Sequence, residues 1–122
     1  MTPAEFRVAH IALGVSAPFL AKRLGVYTSR VWQYATPDRN IDVPEHIAHS
    51  MRELQADFDA AVDDLTARAL AEDLDALPLY RTADEFDAAV PMLAGWGLNT
   101  QGLVVAEVQR RLQLPVEWVV PA

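Results

Sequence analysis

The chain has 122 residues, 52% of them hydrophobic and 22% charged, with a formal net charge of −7. That is room for one compact domain, or for a small head with a dimerisation element, and it argues against extensive disorder. Cysteine is absent, which removes disulfides, thiolate nucleophiles and sulfur-ligated zinc.

No apolar run approaches the roughly 18 residues of a membrane helix, and the first residues lack a basic-then-apolar signal pattern. A cytoplasmic protein with no membrane partner is expected. The charge is unevenly placed. Residues 1–43 carry Arg7, Lys22, Arg23, Arg30 and Arg39 against Glu5, Asp38 and Asp42, whereas residues 44–122 carry the other five arginines against fourteen acids. A basic head on an acidic body points to an oriented encounter with a polyanion.

Thr2-Pro3-Ala4-Glu5 opens a first helix, with Thr2 as N-cap, Pro3 where a missing N–H costs nothing, and Glu5 closing a capping box. Phe6, Ala9 and Leu13 recur at helical spacing, and Gly14 stops the helix. Ser16 caps a second helix through Leu24, with Pro18 in its first turn. Gly25 breaks it. A third helix begins at Tyr27 or Thr28 and ends before Pro37.

From Pro44 a long helical pattern runs to about Asp73. Its apolar positions Ile47, Met51, Leu54, Phe58, Ala61 and Leu65 alternate in steps of 4 and 3, a heptad seam. The seam can pair with a symmetry mate or fold back on the tail. Leu77 to Arg81 reads as a short strand, and Thr82-Ala83-Asp84-Glu85 as a second capping box opening a helix with Phe86 and Val90 inward. Met92 to Leu98 reads as a second strand. Asn99 or Thr100 starts a last helix carrying Leu103, Val104, Val108 and Leu112, and Val116 to Val120 adds a terminal strand.

The expected fold is therefore mainly α: an N-terminal helix-turn-helix bundle over residues 1–50, then a connecting helix and a small mixed α/β dimerisation region over 51–122. A helix-turn-helix needs a small residue where its helices crowd, a tight turn between them and apolar side chains holding them together. Ala21, Gly25 and the set Leu20, Leu24, Val26 and Val31 meet those needs. With Val31 inward and about 100° per residue, Ser29 and Gln33 point away from the core, Thr36 lies near them, and Arg30 and Trp32 flank that face.

Thr28, Ser29, Arg30 and Gln33 are the candidate base contacts. Arg30 suits guanine O6 and N7, and Gln33 suits adenine N6 and N7. Lys22, Arg23 and Arg39 are candidate phosphate contacts, which position a protein without reading sequence. Trp32 either meets DNA or covers the junction with the long helix. Tyr34 is either packing or contact.

On these residues the chain resembles the lambda-repressor-like (XRE) helix-turn-helix superfamily over Thr2 to about Ile47. Arg30 with Trp32-Gln33-Tyr34 is similar to the anti-CRISPR-associated regulator branch and its bacterial relatives. Leu79-Tyr80, Asp84-Glu85-Phe86 and Gly95-Trp96-Gly97-Leu98 follow the order of that branch's tail. The resemblance implies a homodimeric repressor, often of its own operon, whose tail joins the subunits while paired heads bind an inverted repeat in double-stranded DNA. It implies Arg30 and Gln33 as leading base contacts, Tyr34 as a further contact, and a tail dimerisation set of Leu54, Phe58, Leu65, Leu79, Trp96, Leu103 and Val108. Where the family has a glycine-containing turn, this chain has Ala35-Thr36-Pro37-Asp38-Arg39-Asn40, which bears on Arg39 and Asn40 as backbone contacts.

Other chemistry is thinly supported. His46 and His49 stand beside Glu45 with no further ligand at helical spacing, so no metal is expected. Gly95-Trp96-Gly97 lacks the third glycine of a nucleotide loop and reads as a close strand contact. No serine, histidine and acid arrangement suggests catalysis, so neither an enzyme nor a cofactor is expected. The alternative to a DNA-binding regulator is an antitoxin-like interaction protein that neutralises a partner from the same operon through its acidic tail, where Trp118, Val119 and Val120 are apolar.

Overall fold

The structure, a computed structural model, describes residues 1–37 and 42–120. It is mainly α-helical with one small two-stranded sheet. The chain divides into two compact units, Met1–Ala56 and Asp57–Ala122.

In the first unit, α1 (Pro3–Leu13) starts on a complete capping box. The Glu5 N–H donates to the Thr2 hydroxyl at 3.1 Å, and the Thr2 N–H donates to Glu5 Oε1 at 3.0 Å. Gly14 ends α1 in the left-handed region at φ 70°, a conformation that costs glycine little. Ser16 caps α2 (Ala17–Leu24) by accepting from the Phe19 N–H at 3.2 Å.

Gly25, also at φ 70°, closes α2. Its N–H donates to the Lys22 carbonyl at 3.3 Å, and the Val26 N–H reaches back to the Ala21 carbonyl at 3.0 Å. This double closure is a Schellman motif, which reverses the chain within two residues. α3 (Thr28–Ala35) follows at once and packs against both α1 and α2. Phe6 of α1 and Tyr34 of α3 meet edge to face, their centroids 5.4 Å apart. Leu13, Leu20 and Val31 complete the centre of this core.

The 27-residue helix α4 (Glu45–Ala71) contributes its beginning to the first unit and its remainder to the second. Ile47, Met51 and Leu54 are buried in the first unit, and Ala61 and Leu65 in the second, with Phe58 half-buried. Apart from Phe58, the heptad seam is thus covered within its own chain.

In the second unit, β1 (Leu77–Leu79) pairs in parallel with β2 (Val116–Trp118), Leu77 opposite Val116 and Leu79 opposite Trp118. Between the strands run α5 (Ala83–Ala89), a 3-10 turn at Pro91–Leu93 and α6 (Leu98–Leu112). Leu77, Phe86, Leu93, Trp96 and Val108 form the core. On the α6 surface, the Arg110 side chain bonds Glu107 and holds its carboxyl below the usual range.

Several sequence expectations need correction. Residues 92–98 are not a strand. Pro91 fixes φ for a 3-10 turn, and Gly95 and Gly97 sit at φ 85° and 98°, outside the extended region. The buried residues there, Leu93 and Trp96, are three apart, a turn spacing rather than strand alternation. Gly95-Trp96-Gly97 is therefore a turn and not a strand contact. α6 starts at Leu98, ahead of Asn99, on a Gly97 cap. The two real strands are shorter than expected, ending at Leu79 and Trp118.

Candidate nucleic-acid interface

α3 has only eight residues and divides them between two faces. Val31, Tyr34 and Ala35 are buried, each at 7% exposure or less. Ser29, Arg30 and Trp32 are exposed, and Thr28, Gln33 and Thr36 are half-buried. The cause is the 3.6-residue repeat: once Val31 faces the core, residues 29, 30, 32 and 33 turn away from it. Ser29, Arg30 and Gln33 therefore share an outward face.

Each remaining predicted residue has a definite place. Trp32 is 54% exposed, its ring tilted against His10 with centroids 6.4 Å apart. It leans on α1 while leaving half its surface to solvent. The Thr36 hydroxyl donates to the Trp32 carbonyl at 2.7 Å, which secures the end of α3. Tyr34 is 5% exposed against Phe6, so its ring is a packing element. Lys22 and Arg23 are exposed on the last turn of α2, with the Arg23 guanidinium 5.6 Å from the Phe19 ring centroid. Arg39 and Asn40 lie outside the described residues.

The sequence through α2 and α3 carries charge of one sign. No acidic residue occurs between Glu5 and Asp38, while Arg7, Lys22, Arg23 and Arg30 all do. Cations on the last turn of α2 also suit that helix's negative end, which is a reason of its own for Lys22 and Arg23. Arg30 has no such reason, being near the start of α3 where a positive charge is disfavoured. A fork of donors there, beside the Gln33 amide and the Ser29 hydroxyl, can recognise an edge bearing both acceptors and donors.

One exposed residue escaped the sequence reading. Tyr27, the N-cap of α3, is 86% exposed. Its signal was an aromatic standing between the Gly25 turn and the Thr28-Ser29 pair, where a capping side chain is preferred.

Of the tail residues expected to join subunits, Leu54, Leu65, Trp96 and Val108 are buried inside the chain and offer no surface. Phe58 and Leu79 are half-buried, and Leu103 is 39% exposed. The larger exposed apolar groups near the tail are Trp118 at 58% and Val120 at 74%.

No family model, curated protein or solved structure matches the chain. Among the described residues no group of histidines and acids could hold a metal ion. The Glu45 and His49 considered for one are engaged elsewhere, by Arg52 and by Glu53 at 3.0 Å. No helix of the described residues is long and apolar enough to cross a membrane.

Proposed function

We propose that this chain is a sequence-specific DNA-binding transcriptional regulator, reading an inverted repeat through paired helix-turn-helix heads and repressing its own operon. In this reading it belongs with the lambda-repressor-like regulators it resembles. α2 and α3 are the motif, with Gly25 as its turn and α3 as the recognition helix. The carrying observation is that Ser29, Arg30 and Gln33 face outward together on a helix whose opposite face is buried. A helix is about 10–12 Å across with its side chains, and the major groove is about 12 Å wide.

The roles divide by chemistry. Arg30 pairs with guanine O6 and N7, Gln33 with adenine N6 and N7, and Ser29 and Thr28 serve either base or phosphate. Lys22 and Arg23 neutralise phosphates and set orientation. Two heads related by a two-fold would meet half-sites roughly 34 Å apart.

The second copy joins through the tail, and the exposed side of β2 is the surface best suited to it. The Pro115 carbonyl accepts from Leu77, and the Val119 N–H donates to the Leu79 carbonyl at 2.9 Å. Odd positions therefore face β1, leaving the amide groups of Val116, Trp118 and Val120 on the outer edge, a ready template for another strand.

The test is to let the purified full chain select duplexes from a randomised pool. The products are then compared with the region upstream of the encoding gene by gel shift. Enrichment of an inverted repeat, with affinity falling steeply as salt rises, is expected. Failure to enrich any duplex would sink the reading. The exposed Trp118 and Val120 on an acidic unit also suit an antitoxin-like role. Stable co-purification with an operon partner, together with loss of any footprint by the chain alone, would favour it.

A further inference from the structure

Tyr27 is a poor choice for folding at the place it occupies. α1, α2 and α5 begin on the hydroxyls of Thr2, Ser16 and Thr82, each accepting a backbone N–H three residues on. α3 begins on Tyr27, which makes no side-chain cap bond. Serine or threonine there would stabilise the helix; tyrosine does not. The ring is also left 86% exposed, more than any other large hydrophobic side chain among the described residues. Neither capping nor burial accounts for it.

Its position relative to the outward face of α3 does. The Arg30 N–H donates to the Tyr27 carbonyl at 2.9 Å, so Tyr27 stands one turn ahead of Arg30 at the leading end of the helix. It follows directly on the Schellman turn that carries Lys22 and Arg23 at its other side. A phenol presents an apolar body and a hydroxyl donor, and its ring loses little conformational entropy when fixed. Between exposed cations on the last turn of α2 and on α3, such a group can meet a sugar with its face and a phosphate oxygen with its O–H.

We infer that Tyr27 is a positioning residue of the proposed DNA interface. Its hydroxyl donates to a backbone phosphate beside the base pair read by Arg30, and its ring lies along the adjoining deoxyribose. This rests on the DNA-binding reading, and it adds a neutral backbone contact to the cationic ones. The consequence is a separation of stability from binding. Tyr27→Ser installs the missing cap and raises the melting temperature, yet weakens DNA binding. Tyr27→Phe keeps the ring and loses only the hydrogen bond.

The test uses the full chain and duplexes that the wild type has enriched from a randomised pool. Tyr27→Ser is expected to bind about tenfold more weakly than wild type while melting at a higher temperature, and Tyr27→Phe about threefold more weakly. A phenol releases no counterion, so the slope of affinity against salt stays at its wild-type value in both variants. The losses are equal on selected and unrelated duplexes, because a phosphate contact reads no sequence. Wild-type affinity in Tyr27→Ser, or a loss confined to one base pair, would overturn the assignment while leaving the DNA reading intact. A wild-type chain that enriches no duplex would overturn both.

Discussion

Gln101 occupies the outer side of Tyr80 as a strand would. Its Oε1 accepts from the Tyr80 N–H at 2.6 Å, and its Nε2 donates to the Tyr80 carbonyl at 3.0 Å. Gln101 is 3% exposed, and both bonds cross from α6 to the end of β1. A side-chain amide has the same donor–acceptor pair as a peptide group, so one side chain satisfies both backbone groups. The outer edge of β1 is thereby closed at Tyr80, while among the described residues no strand pairs with the outer edge of β2.

Gln101→Leu should therefore destabilise the second unit although the replacement is apolar and of similar size. Two partly buried backbone groups lose their partners, at a cost of about 1–3 kcal/mol. Urea denaturation should show a lower midpoint with an unchanged slope. A midpoint equal to wild type would mean that water replaces the amide without loss.

The Thr2–Glu5 box makes a pH-dependent contribution whose sign follows from its geometry. The Thr2 backbone N–H and then its hydroxyl hold the Glu5 carboxyl below its usual range. A group depressed in the folded state contributes stability above its unfolded value and loses it as pH falls through the folded one. Glu5→Ala should thus melt below wild type at neutral pH, and the gap should close in acid, below the ordinary carboxylate range. A gap constant across that range would assign the difference to helix propensity instead.

The helix ends of the first unit were legible because each rests on a local chemical rule: Thr2 with Glu5, Ser16, and the glycines at 14 and 25, which take the left-handed conformation. The outward face of α3 was equally legible, since one buried residue, Val31, sets the phase of all its neighbours. The second unit was harder. The ends of its long helix near Asp73 and of its last helix at Leu112 were still readable from the apolar spacing, although the turns there, at Asp73 with φ 51° and Gln113 with φ 57°, carry no glycine. The run from Met92 to Leu98 is apolar enough to imitate a strand, and only Pro91 and the paired glycines argue otherwise. The partner of β1 lies nearly forty residues away at β2, a pairing fixed by tertiary packing. Tail burial was hidden for the same reason: heptad spacing tells which residues share a face, and not whether that face meets its own chain or another.

Arg30 and Lys22 should separate the two kinds of DNA contact. Both are exposed, so neither alanine variant should change the melting temperature appreciably. Arg30→Ala should relax preference at one base pair, at a cost of about 1–3 kcal/mol there. Lys22→Ala should weaken all duplexes alike and reduce the salt slope by about one. Competition binding on single-base variants of the selected site distinguishes these outcomes, and an Arg30 variant with unaltered preference at every position would remove it from base reading.

The open edge of β2 makes a specific prediction about the proposed dimer. Among two-fold antiparallel registers of this strand, only the one centred on Trp118 pairs all three outward residues, Val116, Trp118 and Val120, among themselves; those centred on Glu117 or Val119 pair two of the three. Centred on Glu117, the two carboxylates would stand directly opposite, which is destabilising. Centred on Trp118, the two indoles face each other, Val116 meets Val120, and each Glu117 lies across from Val119. The second register buries the exposed apolar groups and separates the charges, so it is the one expected. Trp118→Lys should then shift the chain towards monomer in sedimentation equilibrium, since lysine on an edge strand opposes pairing. Leu103→Lys, on the exposed side of α6, should leave the assembly unchanged. If Trp118→Lys sediments as wild type while Leu103→Lys dissociates, the subunits join through α6 and the edge of β2 serves another partner.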